Sequence, residues 1–308
     1  MKLFNRDKKE AKTSEKKIKK ARPDYLSMAK ARVHLYTRQK TGNILDGSYV
    51  SLYKGRSMEF LDLMEYNFGD NIRDIDWRAS SRTGKTLVRR YEAEKRHNVL
   101  FLCDSGVKMS GDTITGQRKS ELALTCFSAL AYIVSELGAD FSLTCCDEKG
   151  IQGDYMRSGS AHIEALLSMY EKTVESDPVL DINTLIEKAI SETPRRRIIV
   201  VITDADGMST ITDSTIRKAN VKNDLYILCL TDGRLAGGGA FDLDITSYAE
   251  DFIFDSKAIA EAESTLKEQQ LQSLKDKCVK EKVGFVTLSS DDEILDKAVT
   301  LFEQQLSI

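Results

Sequence analysis

Apolar residues along this chain fall into short unbroken runs separated by longer stretches with helical spacing. "VLFLCD" (Val99–Asp104), "RRRIIVVITDADG" (Arg195–Gly207) and "NDLYILCL" (Asn223–Leu230) are continuous apolar runs, the mark of strands buried on both faces. "DFSLTCCD" (Asp140–Asp147) and "VGFVTLS" (Val283–Ser289) read as further strands, and "GIQGDYM" (Gly150–Met156) as the hairpin partner of the first. Between them, Lys119–Leu137, "AHIEALLSMYEKT" (Ala161–Thr173), "INTLIEKAISE" (Ile182–Glu192), "DSTIRKAN" (Asp213–Asn220), about Ser256–Lys282 and "DDEILDKAVTLFEQQL" (Asp291–Leu306) have helical patterns. Strands alternating with helices predict an α/β fold over residues 98–308, with a mostly parallel sheet covered by helices on both faces. Ligands of such folds bind outside the carboxyl ends of the strands. Two predicted strands end there in aspartate, Asp104 and Asp204.

The preceding part is different. "PDYLSMAKARVHLYTRQK" (Pro23–Lys40) has the pattern of a short amphipathic helix. The next segment mixes glycine, aromatic residues and short apolar runs, so residues 23–97 read as a helix plus a small β-rich subdomain. "ASSRTGKT" (Ala79–Thr86) looks like a relaxed phosphate-binding loop. Such a loop needs a buried strand before it and a helix after it, so that helix N-terminal amides face the phosphates. Here a charged segment precedes and the strand-like "KTLVRRY" follows, so "RTGKT" is read as a tight turn with Gly84 supplying the unusual backbone angle.

Charge changes the picture at the N-terminus. Residues 1–40 hold 14 Lys and Arg against 4 Asp and Glu, and the remainder 31 against 44. A basic flexible arm, residues 1–22, is thus attached to an acidic body. The arm serves as a solubilising tail or touches anionic lipid, nucleic acid or an acidic partner. No run approaches the roughly 20 apolar residues of a membrane helix, and the N-terminus has no secretory core. The six cysteines lack metal or disulfide spacing and lie mostly in apolar runs; Cys145 and Cys146 would point to opposite faces of a strand. His34, His97 and His162 are scattered. The expectation is a cytoplasmic protein with reduced thiols, with peripheral membrane contact through residues 1–22 left open.

The densest charge lies in "YNFGDNIRDIDWRASSRTGK". Asp70, Arg73 and Asp76 are spaced by three and would share a face in a helical turn. Trp77, the only tryptophan, is followed by Arg78, Arg82 and Lys85. One reading is an ion-pair network with Trp77 as the anchor that braces the β-rich part on the sheet. The other is a docking surface for another protein, since Trp with Arg is the composition of interface hot spots.

These residues resemble the domain of unknown function 58 family. The pattern Gly-Arg-x-x-Glu-Phe, Tyr-x-x-Gly-Asp-x-x-Arg-x-Ile-Asp-Trp, Ala-Arg-Thr-Gly-Lys and an Asp-ended strand is met by Gly55-Arg56, Glu59-Phe60, Tyr66, Gly69-Asp70, Arg73, Ile75-Asp76-Trp77 and Arg82-Thr83-Gly84-Lys85, with Ser81 in place of Ala. The resemblance spans roughly residues 40 to 305. It implies a von Willebrand factor type A-like domain, association with MoxR-type AAA+ ATPases, and roles in assembling or remodelling client proteins. It implies no enzymatic activity.

Type A domains often carry a metal-ion-dependent adhesion site, built from Asp-x-Ser-x-Ser, a threonine and a further aspartate. Mg²⁺ takes such hard oxygens and keeps one position for a partner's carboxylate. Carried onto this chain, the resemblance places Asp104 first, Gly106 and Lys108 at the serines, Thr184 second (with Asp181 close) and Asp204 third (with Asp206 near). Two ligands are lost and one is replaced by a cation. Two positive units facing one at about 4 Å, at an effective dielectric of about 20, repel by roughly 8 kcal/mol. The expectation is a degenerate site without a cofactor, in which Lys108 neutralises Asp104 and Asp204; residual Mg²⁺ on those two carboxylates is the competing reading. A Mg²⁺-dependent hydrolase using Asp104, Asp204 and Asp206 is a minor alternative, since no nucleophile or base accompanies them. Nucleic acid is not an expected partner.

Overall fold

A computed structural model describes residues 23–39, 58–67, 70, 72–93, 98–192, 196–233, 241–242, 247–248 and 257–306. The basic arm, residues 1–22, and the motif positions Gly55, Arg56 and Gly69 lie outside the described residues, as do the side chains of Glu59, Phe60 and Arg73.

In chain order the elements begin with α1 (Tyr25–Gln39), β1 (Met58–Glu65), α2 (Trp77–Thr83), β2 (Leu87–Ala93), β3 (Asn98–Cys103) and α3 (Lys119–Glu136). There follow β4 (Asp140–Asp147), β5 (Gly150–Gly153), α4 (Ser160–Thr173), α5 (Ile182–Ser191), β6 (Ile198–Asp204), α6 (Ala205–Thr210), α7 (Asp213–Lys222) and β7 (Asp224–Leu230). A two-residue antiparallel pair, β8 (Phe241–Asp242) with β9 (Ser247–Tyr248), precedes α8 (Lys257–Lys280), β10 (Gly284–Leu288) and α9 (Ile294–Leu306).

The main sheet has the order β10-β7-β6-β3-β4-β5. Its neighbours are parallel except β5, which returns antiparallel on β4 as the hairpin reading expected. Numbered within the sheet, that order is 3-2-1-4-5-6 from the hairpin edge, the doubly wound arrangement. The chain reverses its direction of growth between β3 and β6, and the crevice above their carboxyl ends is where such sheets take ligands. The apolar runs follow from this placement. β6 is buried along its whole length because helices cover both its faces.

One apolar layer joins α1, α3, α4 and α9 to the sheet, with Phe101 packed edge-on against Phe127 at 5.2 Å between ring centroids. The other joins α5, α6, α7 and α8 through Leu102, Ile186, Met208, Ile216 and Cys278. The helix assigned above to the β-rich part sits elsewhere. Tyr25, Leu26 and Ala29 of α1 are in the first layer, Arg32 pairs with Asp291, and Tyr36 donates to Asp296 at 2.9 Å. α1 therefore belongs with the sheet. All six cysteines are free and buried, and burial pushes Cys126 up to about 12 and Cys145 to about 11, which disfavours the thiolate at these two positions.

β1 and β2 pair antiparallel with an irregularity between Phe60 and Asp62, and α2 lies in their connection. α2 has capped ends. Asp76 accepts the Arg78 and Ala79 N–H groups at 3.0 Å each, and Gly84, at φ 71°, returns its own N–H to Ser80. Those backbone bonds, with the Arg89 guanidinium at 3.0 Å, hold the Asp76 carboxyl below its ordinary pKa. Gly84 thus closes a helix instead of opening one, which is why "RTGKT" does not present helix amides to a phosphate.

Candidate functional site

Asp104 follows β3 directly, and its N–H extends the ladder to Ile202 at 2.8 Å. The backbone then turns at Gly106, whose φ of 114° suits glycine, into a short 3₁₀ turn, Val107–Ser110. That turn brings Lys108 back over the strand end. Its Nζ donates to Asp104 Oδ2 at 2.7 Å and lies 3.4 Å from Asp204 Oδ1. Thr203 Oγ1 donates to the same Asp104 oxygen at 2.5 Å, the Ser105 N–H to Oδ1 at 2.9 Å, and the buried Tyr170 hydroxyl to the Asp104 carbonyl at 2.9 Å.

Asp204 ends β6 and caps α6, accepting the Gly207 N–H at 2.9 Å. Its other oxygen accepts Lys119 Nζ at 2.8 Å, and that ammonium also donates to Asp232 at 2.6 Å. The ends of β3, β6 and β7 therefore carry a row of alternating charge: Asp104, Lys108, Asp204, Lys119, Asp232. Three carboxylates against two ammoniums leave one net negative charge. Asp204 is wholly buried and Lys119 is 5% exposed, while Lys108 keeps 22% of its side chain in contact with solvent.

The pKa directions follow from burial set against pairing. Burial opposes ionisation of Asp204, but Lys119 and Lys108 outweigh it and hold its pKa below the ordinary value. Burial likewise opposes the charge on both lysines, and the facing carboxylates outweigh it, holding both above theirs. Asp104 is pushed up, first by burial and then, against the pull of Lys108, by neighbouring Asp204. Burial also raises Asp232.

The sequence-assigned residues divide accordingly. Asp104, Lys108 and Asp204 meet at one point, and Gly106 shapes the loop without offering an oxygen. Thr184 does not join them. It sits in the first turn of α5, where its N–H is capped by Asp181 at 2.8 Å, and its hydroxyl makes none of the described bonds to the row. Asp206 is exposed in the first turn of α6. The donor set does not fit Mg²⁺, because an ammonium stands between the two carboxylates and no hydroxyl of the second loop is among the described contacts of the row. Among the described residues, no group of three or more His, Cys, Asp or Glu is arranged to hold a metal.

The residues of the charged cluster do not share a helical face. The turn at Ile72–Asp74 is only three residues long. Asp70 accepts the Asn67 N–H at 2.8 Å, while Asp76 caps α2 and pairs with Arg89. Lys85 pairs with Glu65. Trp77 is no bracing anchor, because the first position of α2 faces outward and leaves it 68% exposed.

Lys119, Thr203, Gly207 and Asp232 were not assigned from the sequence. Asp232 had the same signal as the other two aspartates, an acid just after a buried strand, in "CLTDG". Gly207 had none. A Cβ there would stand 2.1 Å from both Asp104 Oδ2 and Thr203 Oγ1, and 2.8 Å from Lys108 Nζ. Gly207→Ala should cost about 1–3 kcal/mol by forcing this packed polar junction apart. Urea denaturation with the same midpoint as the unmodified chain would contradict so close an approach.

The family model "Protein of unknown function DUF58" matches residues 62–243, more than half of the chain. The chain belongs to the DUF58 family. Among curated relatives of this DUF58 chain are the uncharacterized proteins Mb1516 of Mycobacterium bovis and Rv1480 of Mycobacterium tuberculosis. Each is 22% identical over 185 residues, which cover 58% of this chain and 57% of the relative. The chain thus spans little more than half the length of these relatives. Solved structures similar to it include a von Willebrand factor type A protein from Catenulispora acidiphila, with 10% identity, TM-score 0.39, and coverage of 72% of this chain and 45% of that one. The PilB minor pilin from Streptococcus sanguinis is similar at 9% identity and TM-score 0.41, covering 72% and 65%. The α/β assignment rests on strand order and direction. No helix among the described residues is long and apolar enough to cross a membrane.

Proposed function

We propose that this chain is a non-enzymatic protein-interaction module. Its sheet-top site is an adhesion-site scaffold in which Lys108 stands where an ion would otherwise bridge the carboxylates. The observation that supports this reading is the Lys108 ammonium, 2.7 Å from Asp104 and 3.4 Å from Asp204. A cation supplied by the chain stands between the two carboxylates, so partner binding needs no metal. Asp104 and Asp204 are both engaged by lysines, which leaves neither as a free general base for hydrolysis.

In the family setting implied by the signature, the module works with a MoxR-type AAA+ ATPase to assemble or remodel client proteins. The tagged full chain should then recover a MoxR-type ATPase encoded beside its own gene, and recovery should survive EDTA. A pull-down that yields no ATPase, with no such gene adjacent, overturns the partnership. Recovery abolished by EDTA and restored by Mg²⁺, with nucleotide absent, overturns the metal-free site.

A further inference from the structure

The β1–β2 pair carries a second surface, separate from the row of charges above the sheet. α2 turns Ser80 inward, where its hydroxyl donates to Asp76 O at 2.7 Å and accepts the Leu87 N–H at 2.8 Å. Trp77 with Ser81, and Arg78 with Arg82, stand one turn apart on the outward side, and all four are exposed. Trp77 is joined in exposure by Ile72 of the preceding turn, which is 65% exposed. An exposed tryptophan flanked by arginines has the composition of an interface hot spot.

The charges point the same way. Two other cations of this segment are satisfied locally, Lys85 by Glu65 and Arg89 by Asp76. Arg78 and Arg82 have no carboxylate partner among the described contacts. Like charges four residues apart destabilise a helix by about 0.2–0.5 kcal/mol. Arg78 also stands in the first turn, where the helix dipole disfavours a cation. Arg82, in the last turn, suits the helix dipole, whereas Arg78 does not serve the stability of α2; with no carboxylate partner among the described contacts, both suit an anion supplied from outside.

We infer that the exposed face formed by Trp77, Arg78, Ser81 and Arg82 docks an acidic protein segment. Its carboxylates take the two guanidinium forks, and one of its apolar side chains covers the indole. Guanidinium forks match carboxylates in bidentate geometry, and Trp with Arg is the pairing that dominates interface energetics. A nucleic acid would need a broad basic stripe. Here two guanidiniums stand on a chain whose formal net charge is −3. The inference is independent of the sheet-top reading and does not require the ATPase.

Because Trp77 is the only tryptophan, its emission reports occupancy of this face directly. The test titrates the full chain with a synthetic peptide of Asp and Glu interspersed with Leu and Phe. A peptide with Lys at every acidic position is the control. The acidic peptide should give a saturable blue shift that weakens with added salt, and the lysine peptide none. Arg78→Glu with Arg82→Glu should weaken the acidic peptide by roughly tenfold or more. Arg78→Gln provides the same comparison without charge reversal should the double variant lose its far-ultraviolet circular dichroism. A flat titration, an equal response to the lysine peptide, or unchanged affinity in the arginine variants overturns the inference. So does a response confined to a single-stranded oligonucleotide or to phosphatidylserine vesicles.

Discussion

Replacing Lys119 with methionine should lower the folding stability of this chain by about 3–5 kcal/mol, the usual consequence of removing one partner from a buried ion pair. Methionine keeps most of the volume, so the loss is one of charge. Lys119 Nζ bonds Asp204 at 2.8 Å and Asp232 at 2.6 Å, and Asp204 has no solvent to turn to. The lysine that remains, Lys108, is 3.4 Å away and already committed to Asp104. The pH dependence separates this cause from a packing defect. Asp204 has a depressed folded pKa, so its stabilisation is present above the ordinary 3.8 and is lost as pH falls through the lower folded value. Lys119 has a raised folded pKa, so its stabilisation is complete below the ordinary 10.5 and is lost as pH rises through the higher folded value. The Asp204–Lys119 pair is therefore at full strength around neutrality. In the variant, Asp204 loses its main counter-charge and takes up a proton more readily. The deficit should therefore be largest near pH 7 and shrink towards pH 4. Urea denaturation across that range is the measurement. A deficit below about 1 kcal/mol at pH 7, or one that does not change with pH, would show that the ammonium is not what holds these strand ends together.

Lys108→Ser should create a Mg²⁺ site, and the unmodified chain should show no Mg²⁺ binding in the same titration. Removing the ammonium leaves the Asp104 and Asp204 oxygens facing a gap, and the new hydroxyl adds a hard donor beside them. Without metal the variant should be less stable, because two buried carboxylates then repel. Added Mg²⁺ should restore stability through mass action, by about 2.7 kcal/mol when free metal is a hundredfold above its dissociation constant. Calorimetric titration reads the binding, and thermal melts with Mg²⁺ and with EDTA read the linkage. Tight Mg²⁺ binding by the unmodified chain, or none by the variant, would reject the lysine-for-ion exchange. The site pattern alone suggests adding Gly106→Ser to complete the serine pair. The loop geometry argues against it. Gly106 has φ 114°, and a Cβ there would lie 3.2 Å from Pro178 Cδ, so the double variant pays in backbone strain for one more oxygen.

Much of this molecule could be read from residue order. Strands such as Ile198–Asp204 and helices such as Lys119–Glu136 were legible because burial on two faces and a 3.6-residue period are local properties. The same holds for Gly84 at a turn, and for Asp104 and Asp204 at strand ends. Lys108 beside Asp104 was legible too, since four residues through a single turn bring them together.

Other features depended on packing between distant segments. Lys119 lies 85 residues from Asp204 and 113 from Asp232, and only the strand order puts the start of α3 between the ends of β6 and β7. Thr184 lies in the helix its sequence predicts, but where that helix packs decided whether its hydroxyl meets the row, and none of the described bonds joins them. Trp77 was open to two readings, a bracing anchor or a docking surface, and the first position of α2 leaves it 68% exposed. Local periodicity is set by neighbours a few residues away, so the sequence alone determined the strands of the main sheet, its longer helices and the acids at the strand ends. Which charges meet, and which aromatic side chain stays in water, is set by contacts across a hundred residues, and the tertiary structure alone decided those.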